Sequence, residues 1–202
     1  MNIIDKVTAM NFHRHRINKY SSGTVEALGW KNRESQSKRF EILAGVGDMN
    51  GSSVLDLGCG YGDLRAYLDT LFIDLTYVGV DYMPEFIAEA RERYNGREDT
   101  IFFKSDFTKE ALPLSDYVIA NGVFCYRSAD KGFHFELIAK MYGAARLVLA
   151  FNMLDKLTFP EDELLLGHDR DEVVDFCRKL SPVVEVRSGY IENDFTVLLY
   201  RE

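Results

Sequence analysis

The sequence predicts an α/β fold: a doubly wound, mostly parallel sheet of seven strands, helices on both faces, and one antiparallel strand at the C-terminus. Three observations carry this reading. Apolar runs alternate with stretches of helical apolar spacing from residue 54 onward, the first run breaks into a glycine-rich turn, and the chain ends in two runs separated by Glu192-Asn193-Asp194. Strands that alternate with helices pair in parallel through right-handed crossovers, and closely spaced terminal runs form a hairpin.

The elements follow in order. Residues 33–46 read as a helix through Gln36, Phe40 and Leu43. Val54, Leu55 and Leu57 make a buried strand carrying one acid, Asp56, and Leu64, Tyr67, Leu68 and Leu71 keep helical spacing after it. Thr76–Asp81 is a second strand ending in an acid. Pro84 suits a first helical turn, Phe86, Ile87, Ala90 and Tyr94 form the stripe of that helix, and Asn95-Gly96 closes it. Ile101-Phe102-Phe103 is a third strand and residues 116–121 a fourth. Phe133, Leu137, Ile138 and Met141 trace a helix, and residues 146–151 form a fifth strand. Val173, Phe176, Cys177 and Leu180 give a last helix, with Asp171 and Glu172 in its first turn and Arg178 and Lys179 in its last, as the helix dipole favours. Residues 183–191 and 195–200 are the hairpin.

Composition bounds the function. The 202 residues are 47% hydrophobic and carry 32 acidic against 24 basic side chains, a formal charge of −8. One globular domain over 1–202 fits that length, and an acidic surface disfavours broad binding to a phosphate backbone. The basic cluster His13-Arg14-His15-Arg16 with Lys19 reads as a solvated terminal segment. Three cysteines without a CxxC pair, and four histidines without ligand spacing, give no metal site and predict a reduced, cytoplasmic protein. No run approaches the ~18 apolar residues of a membrane span. Oligomeric state and the role of residues 1–30 are not legible.

The candidate site gathers at the carboxyl ends of the strands, where open α/β sheets bind ligands. Gly58, Gly60 and Gly62 let a nucleoside-sized group approach the backbone, with Cys59 as a small filler between them. Asp81 lies 23 residues past Gly58, the offset at which an acid ending the second strand can accept both hydroxyls of a ribose. Asp106 can accept from an adenine amino group with Phe107 beside the ring, and Tyr82 or Met83 can pack on the other face. Asn121 and Gly122 end the fourth strand at the same crevice. The spacing is GxGxG, not the GxGxxG phosphate fingerprint, and no GK[ST] follows.

VLDLGCGYGD, VGVDYMPEFIAEAR, KSDF and DYVIANGVF, in that order, resemble the motif set of class I S-adenosylmethionine-dependent methyltransferases, over roughly residues 50–202. The resemblance implies a Rossmann-like fold with S-adenosyl-L-methionine as cofactor. It assigns Asp56 and the glycine loop to the methionine and ribose portion, Asp81 to the ribose hydroxyls, and Asp106 with Phe107 to the adenine. Asn121 with Gly122 would be the floor beneath the sulfonium. The segment ALGWKNRESQSKRF resembles small bacterial members with a helix near the methionine tail, making Trp30, Gln36 and Arg39 candidates for cofactor or substrate contact. By analogy, residues 1–50 form a helical lid segment over a core of 51–202, with the 33–46 helix on the C-terminal edge of the sheet.

The implied reaction is an in-line methyl transfer, which depends mainly on alignment of acceptor and methyl. No [DNS]PP[YFW] follows the fourth strand and no cysteine stands in a proline-cysteine context, so a small-molecule acceptor is expected, a protein acceptor is second, and nucleic acid is disfavoured. Tyr126, His134 and Asn152 fall after strands four and five on the presumed acceptor side, with Tyr126 and His134 as candidate catalytic groups. The long connection from Asn152 to Asp169 is expected to shape the acceptor pocket. Two alternatives stay open: a catalytically silent cofactor-binding module and a NAD-dependent oxidoreductase.

Overall fold

The computed structural model describes residues 2–201. Its strands are β1 (Ser53–Leu57), β2 (Thr76–Asp81), β3 (Thr100–Lys104), β4 (Ser115–Ala120), β5 (Ala145–Asp155), β6 (Gly167–His168), β7 (Val183–Ser188) and β8 (Asp194–Tyr200). The helices are α1 (Ile3–Tyr20), α2 (Arg33–Ala44), α3 (Asp63–Leu68), α4 (Pro84–Arg93), α5 (Phe133–Ala144) and α6 (Arg170–Leu180). Seven strands lie in the order β3-β2-β1-β4-β5-β8-β7, with the two-residue β6 added beside β5, so the sheet has eight strands. Only β8 runs against its neighbours β5 and β7. The chain steps outward from β1 to β2 and β3 and then crosses to β4, and ligands bind at the switch point such a reversal creates.

Alternation along the strands builds two apolar layers. Leu55, Leu57 and Val118 face α5 and α6 through Leu137, Ile138, Met141, Val173 and Cys177. Val54, Tyr77 and Ile119 face the other side, against Leu64, Leu68, Ile87 and Ala90.

Three expectations are corrected. β5 runs on to Asp155, so Asn152 is a strand residue and not part of the following connection. Its far end is held by β8, where Asn152 through Leu154 pair with Thr196 through Asp194 beyond the last β4 pair, Ala120 with Phe151. The basic segment at 13–19 is part of α1, an 18-residue helix with a capping box at Asn2 and Asp5, which leaves Arg14, His15 and Lys19 exposed as expected but buries His13. Finally, the covering role falls to α1. Helix α2 sends Phe40, Leu43 and Ala44 into the layer with α3, and only its first turns reach the strand ends. Helix α1 crosses the mouth instead, tied by Lys6 to Asp106, by Arg14 to Glu85 and by Asp5 to Ser128.

Candidate functional site

Past β1 the backbone turns through Gly58 and Gly60 with φ of 74° and 55°, a region that suits glycine. Space is the second constraint. A Cβ at Gly58 would lie 2.7 Å from Val123 Cγ2, and one at Gly60 2.7 Å from Leu28 Cδ2. Gly58 and Cys59 both donate to the Val80 carbonyl, which fixes the loop on the end of β2. Cys59 is buried with its thiol pushed well above the usual range by desolvation, as a filler should be.

Asp81 ends β2 and closes this loop. Its Oδ2 accepts from the Gly60 N–H at 3.1 Å and its Oδ1 from the Met83 N–H at 2.9 Å. A carboxylate offers about four lone-pair sites, so each oxygen keeps capacity for another donor. Burial pushes the Asp81 carboxyl up to about 6, against the pull of these backbone donors. Asp56 is pushed up to about 7 by burial, opposed by a hydrogen bond from Tyr77 Oη. Two carboxyls pushed up by burial therefore flank one loop and line one cavity.

That cavity measures about 400 Å³, within the range of small-molecule sites. It brings together Asp56, Gly58, Cys59, Gly60, Asp81, Tyr82, Met83, Asp106, Phe107, Asn121 and Gly122, with Trp30, Gln36 and Arg39 on its N-terminal wall. Gly62 lies behind it, wedged against Phe102 and Tyr94. Asn121 Oδ1 is buried without a partner, while the Gly122 N–H is taken by Asn152 Oδ1 at 2.7 Å. Arg39 spans the far wall, 4.8 Å over the Trp30 ring and ion-paired with Asp194 at 2.5 Å. Gln36 donates to Asp63 at 3.0 Å.

Two candidates sit otherwise than expected. The Asp106 carboxylate is already engaged, by Lys6 and by Thr108 N–H and Oγ1. Burial would raise it, but the Lys6 and Thr108 hydrogen bonds outweigh that and hold it below the usual carboxylate range. His134 does not line the cavity; its ring meets those of Phe135 and His168 in tilted contacts at 4.0 and 4.8 Å. Tyr126 does line the cavity, and its hydroxyl lies 2.6 Å from His13 Nε2.

His13, Lys6 and Phe12 from α1 are site residues the sequence reading missed, as are Asp63, Asn193 and Asp194. A signal existed. Lys6, Ala9, Met10, His13 and Ile17 recur at three- and four-residue spacing, but the polar members hide the stripe. The connection after β5 shapes the cavity as expected: Phe159 and Leu165 line it, and Leu165 bridges to Tyr126.

Comparison with known proteins agrees with this geometry. A family model described as a methyltransferase domain matches residues 55–145. A protein of Mycobacterium tuberculosis named as a methyltransferase is 34% identical over 157 residues, covering 73% of this chain and 92% of its own. Trans-aconitate 2-methyltransferase of Methylobacterium radiotolerans is 30% identical over 127 residues, 62% of this chain and 46% of its own. Among solved structures, magnesium protoporphyrin IX methyltransferase from Synechocystis with bound S-adenosylmethionine superposes with a TM-score of 0.71 at 16% identity, over 98% of this chain and 97% of that one. The motif order, the strand order and a relative matched over nearly its full length lead to one assignment: the chain belongs to the class I S-adenosylmethionine-dependent methyltransferases, enzymes whose cofactor is S-adenosylmethionine.

Proposed function

We propose that the cavity between α1 and the strand ends holds S-adenosylmethionine and directs its methyl group to a small-molecule acceptor. The observation that carries this is Asp81: a buried carboxylate with spare lone pairs, facing the glycine loop at the end of β2. The residues fit the cofactor. Asp81 takes the ribose hydroxyls, and the backbone of Gly58 and Gly60 lies along the methionine portion. Tyr82, Met83 and Phe107 enclose the adenine, and Asp106 receives its amino group beside Lys6 and Thr108. Asn121 Oδ1, buried and unpartnered, is an acceptor left for a donor of the bound molecule.

When bound, the cofactor supplies an electrophilic methyl on a sulfonium. The protein's part is to hold an acceptor in line with it and to exclude water. Trp30, Phe133, Phe159 and Leu165 give the acceptor compartment aromatic and apolar walls, which suits a small organic molecule. Trans-aconitate and magnesium protoporphyrin IX, in the names of two similar proteins, are organic molecules and not polymers, which supports the class of acceptor and not its charge. Three free thiols, Cys59, Cys125 and Cys177, support a cytoplasmic setting.

Calorimetry with S-adenosylmethionine, S-adenosylhomocysteine and NAD tests the cofactor. Both adenosyl compounds are expected to bind at one site per chain and NAD not to bind. Binding of NAD alone would overturn the proposal.

A further inference from the structure

The cofactor assignment leaves one buried pair unused. His13 comes from α1 and Tyr126 from the turn after β4, 113 positions apart, and both line the cavity with Tyr126 Oη 2.6 Å from His13 Nε2. The other imidazole nitrogen, Nδ1, lies 3.5 Å from the Ala27 carbonyl. A carbonyl only accepts, so Nδ1 carries the proton and Nε2 accepts from the Tyr126 hydroxyl. Edge contacts from Phe12 at 5.2 Å and Phe86 at 5.1 Å fix the ring. The Tyr126 oxygen keeps lone pairs of its own, on a side chain at the cavity wall.

The charge of the cavity restricts what can enter. Asp56, Asp63, Asp81, Asp106, Glu192 and Asp194 line it against Lys6, Lys31 and Arg39; Lys6 pairs with Asp106, Arg39 with Asp194 and Arg93 with Asp63, which leaves Asp56, Asp81 and Glu192 facing Lys31. An anionic acceptor would meet an excess of acid. A neutral hydroxyl would not, but it is a poor nucleophile until its proton leaves.

We infer that Tyr126, backed by His13, takes up the proton of the methyl acceptor, and that this acceptor is a neutral aromatic molecule bearing its nucleophile as a hydroxyl. The inference rests on the cofactor reading above. As the acceptor oxygen bonds to the methyl carbon, the breaking carbon–sulfur bond leaves its electron pair on sulfur. The hydroxyl proton passes to Tyr126 Oη, and the proton of Tyr126 passes to His13 Nε2. Positive charge leaves the sulfur and arrives on the imidazole, so the total charge of the closed cavity is unchanged. Burial keeps His13 neutral beforehand, with its imidazole lowered to about 4, so it takes the proton only together with the loss of the sulfonium charge, not ahead of it. The groups facing the pair are Arg16 on α1, Asp81 and Tyr82 at the end of β2, and Cys125 beside Tyr126.

Transfer of labelled methyl from S-adenosylmethionine to 1-naphthol, 1-naphthylamine and 1-naphthoic acid tests this on the full chain, with calorimetry of S-adenosylhomocysteine on every variant. The unaltered enzyme is expected to methylate naphthol. Tyr126→Phe should lower kcat by ~10²–10⁴ with KM nearly constant, the scale of a lost proton acceptor. Its residual rate should climb with pH as naphthol ionises unaided. His13→Gln keeps an acceptor for the Tyr126 hydrogen bond but cannot take its proton, so it too should be slow. Unaltered kcat in Tyr126→Phe or His13→Gln would overturn the proton path, as would transfer to the amine or the acid but not to naphthol, or transfer to none. Failure of the unaltered chain to bind S-adenosylhomocysteine would instead remove the cofactor reading beneath it.

Discussion

Asp81 and Asp56 border the same loop, and burial pushes both carboxyls up, Asp56 the further. Asp81→Ala removes a charged acceptor and should weaken S-adenosylhomocysteine binding by ~1–3 kcal/mol, measured by calorimetry on a variant shown to be folded. Asp56 is the more costly group to keep ionised. Its carboxyl sits near 7 in the fold against an ordinary 3.8, so the folded state holds the proton more tightly and stability falls as pH rises through 7. Asp56→Asn stays neutral and can still accept from Tyr77. Thermal melts should show it more stable than the parent at pH 8, by on the order of 2 kcal/mol, with the gain fading toward pH 4. A gain that is the same at both pH values would show that burial of charge is not its source. The place of these acids at the cavity was legible because strand ends and a glycine turn are local features. That of His13 was not, because its contact is with Tyr126, 113 positions away, and no local pattern links the two.

At the scale of elements, the loop and its strands are locked by one ring. Phe102 of β3 covers Gly79 of β2, where a Cβ would lie 2.5 Å from Phe102 Cδ1 and 2.9 Å from Cys59 Sγ. Gly79→Ala should therefore destabilise the fold by about 1–3 kcal/mol through overpacking, read as a lower urea midpoint at unchanged slope. Helix α1 is held differently, by polar ties at its ends and one apolar edge at Met10 and Ile17. Lys6→Ala removes a half-buried ion pair and leaves the Asp106 carboxylate without its cation, so it should lower the melting temperature by roughly 4–8 °C while hydrogen exchange of residues 3–20 accelerates. The inner sheet strands were legible as short apolar runs buried on both faces, and α4 to α6 because their apolar periods are set by a core on one side. The extension of β5 was not: Asn152 and Asp155 read as loop residues, and only antiparallel pairing with β8 draws them into the strand. The place of α1 was hidden for a related reason, since its inner face meets a cavity and carries a lysine and a histidine.

For the whole molecule, sequence order was enough to give the class of fold, because alternation, switch point and terminal hairpin leave few topologies. What it could not give is how the first fifty residues return over the sheet, since no pairing rule governs them. The net charge of −8 and the six carboxylates around the cavity predict a preference between two ligands that differ by one charge. S-adenosylmethionine, with its sulfonium, should lose affinity more steeply between 50 and about 500 mM salt than S-adenosylhomocysteine, in parallel titrations. Equal slopes would mean the cavity field is not felt at sulfur. The spacing along α1 has a consequence of its own. Lys6 reaches Asp106 and His13 reaches Tyr126, seven residues or about 10 Å apart on one helix. If the proposed cofactor shifts α1 through the first contact and the proposed acceptor through the second, the two affinities are linked, and each ligand changes the other's by the same factor.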